Sequence, residues 1–206
     1  MQIGIDFDNT IVSYDSMFHK VAVEAGHIPP DVPVSKISVR DYLRRHDKEH
    51  LWTEMQGYVY GARMGEADAF PGVVGFLAWA RDAGLAVAVI SHRTRYPFIG
   101  PRHDLHHAAR RWIETALRGT DGRLIDPDQV FFELTPEDKL RRIAERGCEY
   151  FVDDLPEIFL APEFPRSTAR LLFDPDGRHD GRGGLTAFRD WRQIRGYLEA
   201  RWQPAR

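Results

Sequence analysis

This sequence predicts an α/β protein built on a parallel sheet, and three observations carry that prediction. Short apolar runs recur along the chain, at Ile3-Gly4-Ile5, Val130-Phe131-Phe132, Glu149-Tyr150-Phe151-Val152 and residues 169–173. Stretches of helical length, several with clear caps, separate them. The run Leu85-Ala86-Val87-Ala88-Val89-Ile90 is apolar without alternation, which suits a strand buried on both faces.

Taken in order, residues 2–7 read as the first buried strand. Residues 15–60 then change character. Helix-like stretches at 16–25 and 39–45 flank the joint Pro29-Pro30-Asp31-Val32-Pro33, and residues 55–60 bring Tyr58 and Tyr60 toward Trp52. This reads as a small helical insertion. The expected boundaries are 14–69 for the insertion, and 1–13 with 70–206 for the core. Phe70-Pro71-Gly72 punctuates the chain before a helix over 73–83, and Gly84 is suited to the position after that helix. The strand over 85–90 runs into a polar loop, 91–103, and a helix from 104 to about 117. After the strand at 130–132, Thr135-Pro136-Glu137-Asp138 is a strong helix start: Thr as N-cap, Pro at the first helical position, acids in the first turn. Strands follow at 149–152 and 169–173, then a Gly-rich surface loop at 174–184 and an amphipathic helix over 190–202.

Composition narrows the function. The 206 residues, 43% hydrophobic and 29% charged, are ordinary for a globular chain of one domain with an insertion. The net charge of −3 argues against bulk affinity for nucleic acid or a membrane. The single cysteine, Cys148, excludes an intrachain disulfide and fits a reducing compartment. No apolar run is long enough to span a bilayer, and Asp6 and Asp8 interrupt the apolar start, so no signal peptide is expected. The expectation is a soluble cytoplasmic protein. Basic residues are 24 arginines and four lysines; three of the lysines lie at 20, 36 and 48, and Lys139 is the only one after them. An ammonium is not interchangeable with a guanidinium, so that isolation marks Lys139.

Chemistry in an open α/β sheet collects at the carboxyl ends of the strands. The first strand runs into Asp6-Phe7-Asp8-Asn9-Thr10, the second into Ser91, and the strand at 149–152 into Asp153-Asp154. At strand period Asp6 and Asp8 point to the same side. Like charges so close raise one another's pKa unless a cation sits between them. Carboxylates at two strand ends form a hard oxygen site suited to Mg²⁺. The hydroxyl of Ser91 and the ammonium of Lys139 suit a phosphoryl group.

With these residues the chain resembles the haloacid dehalogenase superfamily of phosphohydrolases. That family carries an N-terminal DxDx[TV], a Ser or Thr after the second strand, a downstream Lys and a late acidic pair. Here they read Asp6-Phe7-Asp8-Asn9-Thr10, Ser91, Lys139 and Asp153-Asp154, in order across residues 1–154. The segment between Asp8 and Phe70 resembles the cap this family inserts after its first strand. The resemblance implies a Rossmann-like core with a helical cap. It implies Asp6 as a nucleophile that forms an aspartyl-phosphate, and Asp8 as general acid and then base. It implies Mg²⁺ held by Asp6, the backbone carbonyl of Asp8, Asp153 and, directly or through water, Asp154. Thr10, Ser91 and Lys139 would hold phosphate oxygens. Dehalogenases of the superfamily lack an acid at the position of Asp8, so Asp8 favours phosphate over halide chemistry. It does not separate a hydrolase from a phosphomutase or phosphotransferase.

The expected partner is a small phosphorylated metabolite, a sugar phosphate or a nucleotide. A non-catalytic binding protein on the same fold is the alternative of another class, and the intact set Asp6, Asp8, Ser91, Lys139 and Asp153 argues against it. A nucleic-acid end phosphatase would need an open basic channel, and residues 14–69 are not notably basic. His92, Arg93 and Arg95 follow Ser91 closely and are candidate substrate contacts. Arg110, Arg111 and His107 read as a solvated helix face. His103, His106 and His107 lack a Cys partner and are not read as a zinc site. Trp52, Tyr58 and Tyr60 read as the core of the helical insertion.

Overall fold

Six parallel strands in one sheet form the frame of the computed structural model, which describes residues 1–179 and 181–202. Residues 203–206, at the end of the expected core, lie outside the described residues, as does Asp180 in the loop at 174–184. In chain order the strands are β1 (Gln2–Ile5), β2 (Val12–Ser13), β3 (Asp68–Ala69), β4 (Ala86–His92), β5 (Arg118–Gly119), β6 (Gly122–Arg123), β7 (Val130–Glu133), β8 (Tyr150–Asp153), β9 (Ala169–Phe173) and β10 (Thr186–Phe188). The helices are α1 (Asp15–Glu24), α2 (Lys36–Arg45), α3 (Glu49–Tyr60), α4 (Val73–Asp82), α5 (Leu105–Ala116), α6 (Pro136–Glu145), α7 (Pro156–Leu160) and α8 (Trp191–Glu199).

The sheet order is β10-β9-β8-β1-β4-β7. From β1 the chain moves outward through β4 to β7, then returns to the other side of β1 and moves outward again through β8, β9 and β10. Connections leave β1 and β8 in opposite directions, and such a switch point opens a crevice at the carboxyl ends. Ile5 lies opposite Val89 on one side and Val152 on the other, so the residues after β1, β4 and β8 emerge side by side. Gly4 is required at the centre of β1. A Cβ there would lie 2.5 Å from the Phe151 ring and 2.8 Å from Cys148 Sγ.

Contacts divide the chain into two compact units. The first comprises Met1–Ile11, Ala69–Arg93 and Glu114–Arg206; the second comprises Val12–Asp68 and Thr94–Ile113. In the first, one core cluster joins Ala88 and Ile90 to Leu140 and Ile143 of α6 and to Phe151, Phe159 and Leu172. A second group of rings forms where α4 and α8 meet. Trp191, fully buried, lies 4.9 Å from Phe76 and 5.8 Å from Phe173 between ring centroids. Thr135 caps α6 by accepting from the Asp138 N–H, with Pro136 at the first turn, and Gly84 takes a left-handed φ of +68° after α4. Both follow from local chemistry.

In the second unit, α1, α2 and α3 pack around an aromatic cluster. Phe18 and Trp52 are 4.6 Å apart, and Tyr14 and Tyr60 4.8 Å, between centroids. Lys36 Nζ lies 5.8 Å from the rings of Tyr14 and Phe18 and 5.6 Å from Tyr60. Trp52 is buried in this core as expected, and Tyr60 packs against Tyr14 and Phe18 while half-buried. Tyr58 is 40% exposed and instead lies under the Arg63 guanidinium. Residues 94–113 belong to this unit in addition to Val12–Asp68, close to the expected 14–69. A Cβ on Gly57 would meet Pro97 at 2.7 Å, one on Gly61 would meet His103 at 2.5 Å, and Trp112 Nε1 donates to the Ala67 carbonyl at 2.8 Å.

Differences from the sequence expectation include three strands of the central sheet. β1 stops at Ile5, because Asn9 adopts a left-handed φ of +56° and the chain turns; Asn tolerates that conformation better than most residues. β4 continues through His92, so Ser91 lies within the strand and not at the start of a loop. β10 forms within a stretch lacking an apolar run, because Thr186, Ala187 and Phe188 pair with Leu171, Leu172 and Phe173. Among the described residues no helix is long and apolar enough to cross a membrane.

Candidate active site

Lys139 is the centre of the strand-end cluster. It sits one turn into α6, where the Thr135 cap fixes the helix start. Its side chain is fully buried, yet Nζ lies 2.6 Å from Asp6 Oδ1 and 2.7 Å from Asp153 Oδ2. The first contact is a hydrogen bond. The second is an ion pair. Asp153 Oδ1 accepts from the Leu155 N–H at 3.0 Å, which fixes the carboxylate as the chain leaves β8. Burial would push the Lys139 pKa down; the carboxylates of Asp153 and Asp6 outweigh it and hold the ammonium charged. Burial pushes the Asp153 carboxyl well above the usual carboxylate range, with Asp6 adding to that rise and Lys139 opposing it.

One oxygen from each of Asp6, Asp153 and Asp154 lies within 4.8 Å of the others, a grouping that could hold a metal ion. All the donors are hard oxygens, which suit a divalent cation such as Mg²⁺. Thr10, also fully buried, places Oγ1 3.4 Å from both Asp6 Oδ2 and Asp154 Oδ1. The Thr10 carbonyl accepts from Trp191 Nε1 at 3.1 Å, so α8 anchors the turn that carries Asp6 and Asp8. Asp6 itself is held by its N–H, which donates to the Val152 carbonyl at 2.8 Å.

Asp8 is not one of these three carboxylates. Its Oδ1 lies 3.4 Å from Arg93 Nη1, and its side chain is 24% exposed. Ser91 is buried in β4, two residues before Arg93. His92 is half-buried, with Nδ1 enclosed and unpartnered. Burial, then the charge of Lys139, lowers its pKa and favours the neutral ring. Arg95 belongs to the second unit, where it is exposed and paired with Asp104 at 2.9 Å. The structure thus brings Asp6, Thr10, Lys139, Asp153 and Asp154 into one group and sets Asp8 beside Arg93. Two features escaped the sequence reading: the aromatic setting of Arg93 and the anchor from Trp191. Phe7, between the two carboxylates, is the only local sign of the first.

No protein-family model matches the chain, and no curated protein matches it in sequence. Solved structures do match. A HAD family hydrolase from Deinococcus radiodurans R1, solved with bound phosphate and sodium, aligns with a TM-score of 0.62 at 18% identity, over 99% of this chain and 98% of that one. The fold is that of the haloacid dehalogenase superfamily. A predicted phosphatase from Clostridium acetobutylicum aligns with a TM-score of 0.58 at 12% identity, over 97% and 98% of the two chains. A dehalogenase in an intermediate complex aligns with a TM-score of 0.59 at 13% identity, over 95% and 96%. Structures described as a predicted phosphatase and as a dehalogenase thus share this fold, and the fold alone does not assign a chemistry.

Proposed function

We propose that this chain is a Mg²⁺-dependent phosphatase of the haloacid dehalogenase type, acting on a small phosphate monoester. The observation that carries this reading is the group of buried Lys139, Asp6 and Asp153 with half-buried Asp154. Asp6 attacks phosphorus, the P–O bond to the leaving group breaks, and an aspartyl-phosphate forms. Asp8 gives its proton to the departing alkoxide, then takes one from the water that attacks the phosphorus. Inorganic phosphate leaves and Asp6 is regenerated. Lys139, Ser91, Thr10 and His92 hold phosphate oxygens, and Lys139 also holds the Asp6 carboxylate in place. Asp6, the Asp8 carbonyl and Asp153, with Asp154 directly or through water, would hold Mg²⁺, whose charge would ease the approach of nucleophile and phosphate.

Asp8 favours this reading over the dehalogenase one, because a halide leaving group needs no proton. Residues 14–69 serve as a cap, and Arg95 contacts the part of the substrate beyond its phosphate. The substrate is a sugar phosphate or a nucleotide, free in a reducing compartment such as the cytoplasm, rather than a nucleic acid or a lipid surface. Such esters hydrolyse so slowly alone that the site must supply a barrier reduction on the order of 20 kcal/mol.

Release of phosphate from p-nitrophenyl phosphate and from a panel of phosphorylated metabolites tests this. Turnover should require Mg²⁺ and stop on chelation. Asp6→Asn should lose activity by on the order of 10⁴-fold or more with the fold intact, since an amide is a poor nucleophile. Normal turnover by a verified Asp6→Asn protein would end the mechanism. Transfer of phosphate to an added sugar phosphate, in place of release, would reassign the chain as a mutase or transferase.

A further inference from the structure

Arg93 leaves the end of β4 as a long cation, yet only 7% of it is exposed. Its N–H donates to the Glu133 carbonyl at 2.8 Å, extending the β4–β7 ladder one step past the pairing of His92 with Glu133. Its guanidinium lies 5.6 Å from the Phe7 ring centroid and 5.7 Å from that of Phe132. Those two rings meet edge to face at 5.6 Å. From this setting Nη1 reaches to 3.4 Å from Asp8 Oδ1. Phe7 is the residue between Asp6 and Asp8, so the ring that helps seat the guanidinium moves with the two carboxylates. Lys139 serves Asp6 and Asp153. Each carboxylate of the motif thus has a cation beside it, Lys139 for Asp6 and Arg93 for Asp8.

A planar guanidinium packed on aromatic faces loses less freedom per contact than an ammonium on a flexible stem. Holding a carboxylate from that base costs little further ordering. We propose that Arg93 is the positioning residue for Asp8. It keeps the Asp8 carboxyl group where, protonated, it can deliver its proton to the leaving oxygen and, then ionised, accept one from water. This rests on the reading of Asp8 as acid and base. It differs from the sequence expectation, in which Arg93 contacts the substrate. A substrate-binding arginine and a positioning arginine give different kinetics, because only the second acts through proton delivery.

The test uses Arg93→Met, which keeps an unbranched stem beside the rings, and Arg93→Lys, which keeps the charge without the plane. Each is assayed on phosphate esters whose leaving groups range from alkyl alcohols to activated phenols. For Arg93→Met, kcat for alkyl esters should fall on the order of 100-fold, with a much smaller loss for activated phenols and little change in KM. Arg93→Lys should fall between it and wild type. In an Asp8→Asn background, Arg93→Met should cost little more. A KM increase equal for all esters, with an unchanged leaving-group dependence, would overturn the proposal and make Arg93 a phosphate ligand. Thermal unfolding of Arg93→Met, Asp8→Asn and the double variant reads the pair without any turnover. The double variant should lose less Tm than the sum of the single losses; strict additivity would overturn the pairing. Absence of ester turnover in the wild type would instead strike the phosphatase reading, and the unfolding cycle would still decide the pair.

Discussion

Lys139 of the first unit and Lys36 of the second sit in opposite surroundings. Lys139 of the first unit is fully buried between the carboxylates of Asp6 and Asp153. Lys36 of the second lies among the rings of Tyr14, Phe18 and Tyr60 and keeps part of its surface in solvent. A cation over aromatic faces gains about 0.5–2 kcal/mol and keeps some of its hydration. A buried ammonium between carboxylates has given up all hydration, and the ion pairs must offset that loss. Stability alone rarely favours such an arrangement over well-packed apolar residues. The carboxylate setting is therefore the one that asks for a function, whereas the aromatic setting is accounted for by packing within a small helical unit.

Breaking the comparison at its strong end should give the largest effect. Lys139→Met leaves Asp6 and Asp153 buried without their cation, at a cost of about 3–5 kcal/mol measured by denaturant unfolding. Activity should vanish with it. Lys139→Arg keeps the charge, yet the larger planar group does not fit the space between Asp6 Oδ1 and Asp153 Oδ2, and most activity should be lost. If Lys139→Arg matches wild type, the isolation of this lysine in an arginine-rich chain has no functional meaning.

A pH titration of stability sharpens the comparison. Burial raises the folded-state pKa of Asp153. Between the ordinary carboxylate range, about 4, and that raised value, the unfolded chain has released a proton the native site still holds. The unfolded state thus binds fewer protons, and stability falls as pH rises through that window. Mg²⁺ binding should oppose the fall by balancing the carboxylates. Thermal melts from pH 4 to 8, with and without Mg²⁺, read both effects; a metal-independent profile would remove the carboxylate group as a cation site. At the weak end, Lys36→Met should cost about 1 kcal/mol or less and leave turnover of a small aryl phosphate unchanged. A loss of several kcal/mol there would show that the aromatic cluster depends on the cation.

Much of this was legible because the signals are local. Thr135-Pro136 starts a helix through capping and a preset φ; Gly84 ends one by accepting a left-handed turn; an unbroken apolar run such as 85–90 has few homes other than a doubly covered strand. The carboxylates after β1 and β8 are likewise visible as charges where apolar runs stop. β10 is not visible in this way, since its propensity is slight and its place comes from pairing with β9.

What local signals do not contain is which distant backbones meet. Lys139 reaches both Asp6 and Asp153 only because the crossovers set β1 between β4 and β8. Arg93 faces Asp8 because the β4–β7 ladder extends past His92 and two rings from different strand ends close on the guanidinium. Residues 94–113 join the helical unit through two glycines, Gly57 and Gly61, that admit Pro97 and His103 where any side chain would clash. Each of these is a close approach between segments far apart in the chain. Residue types along the chain determine which elements form and which groups are available. Packing decides which of those groups touch, because burial and register are properties of the assembled fold.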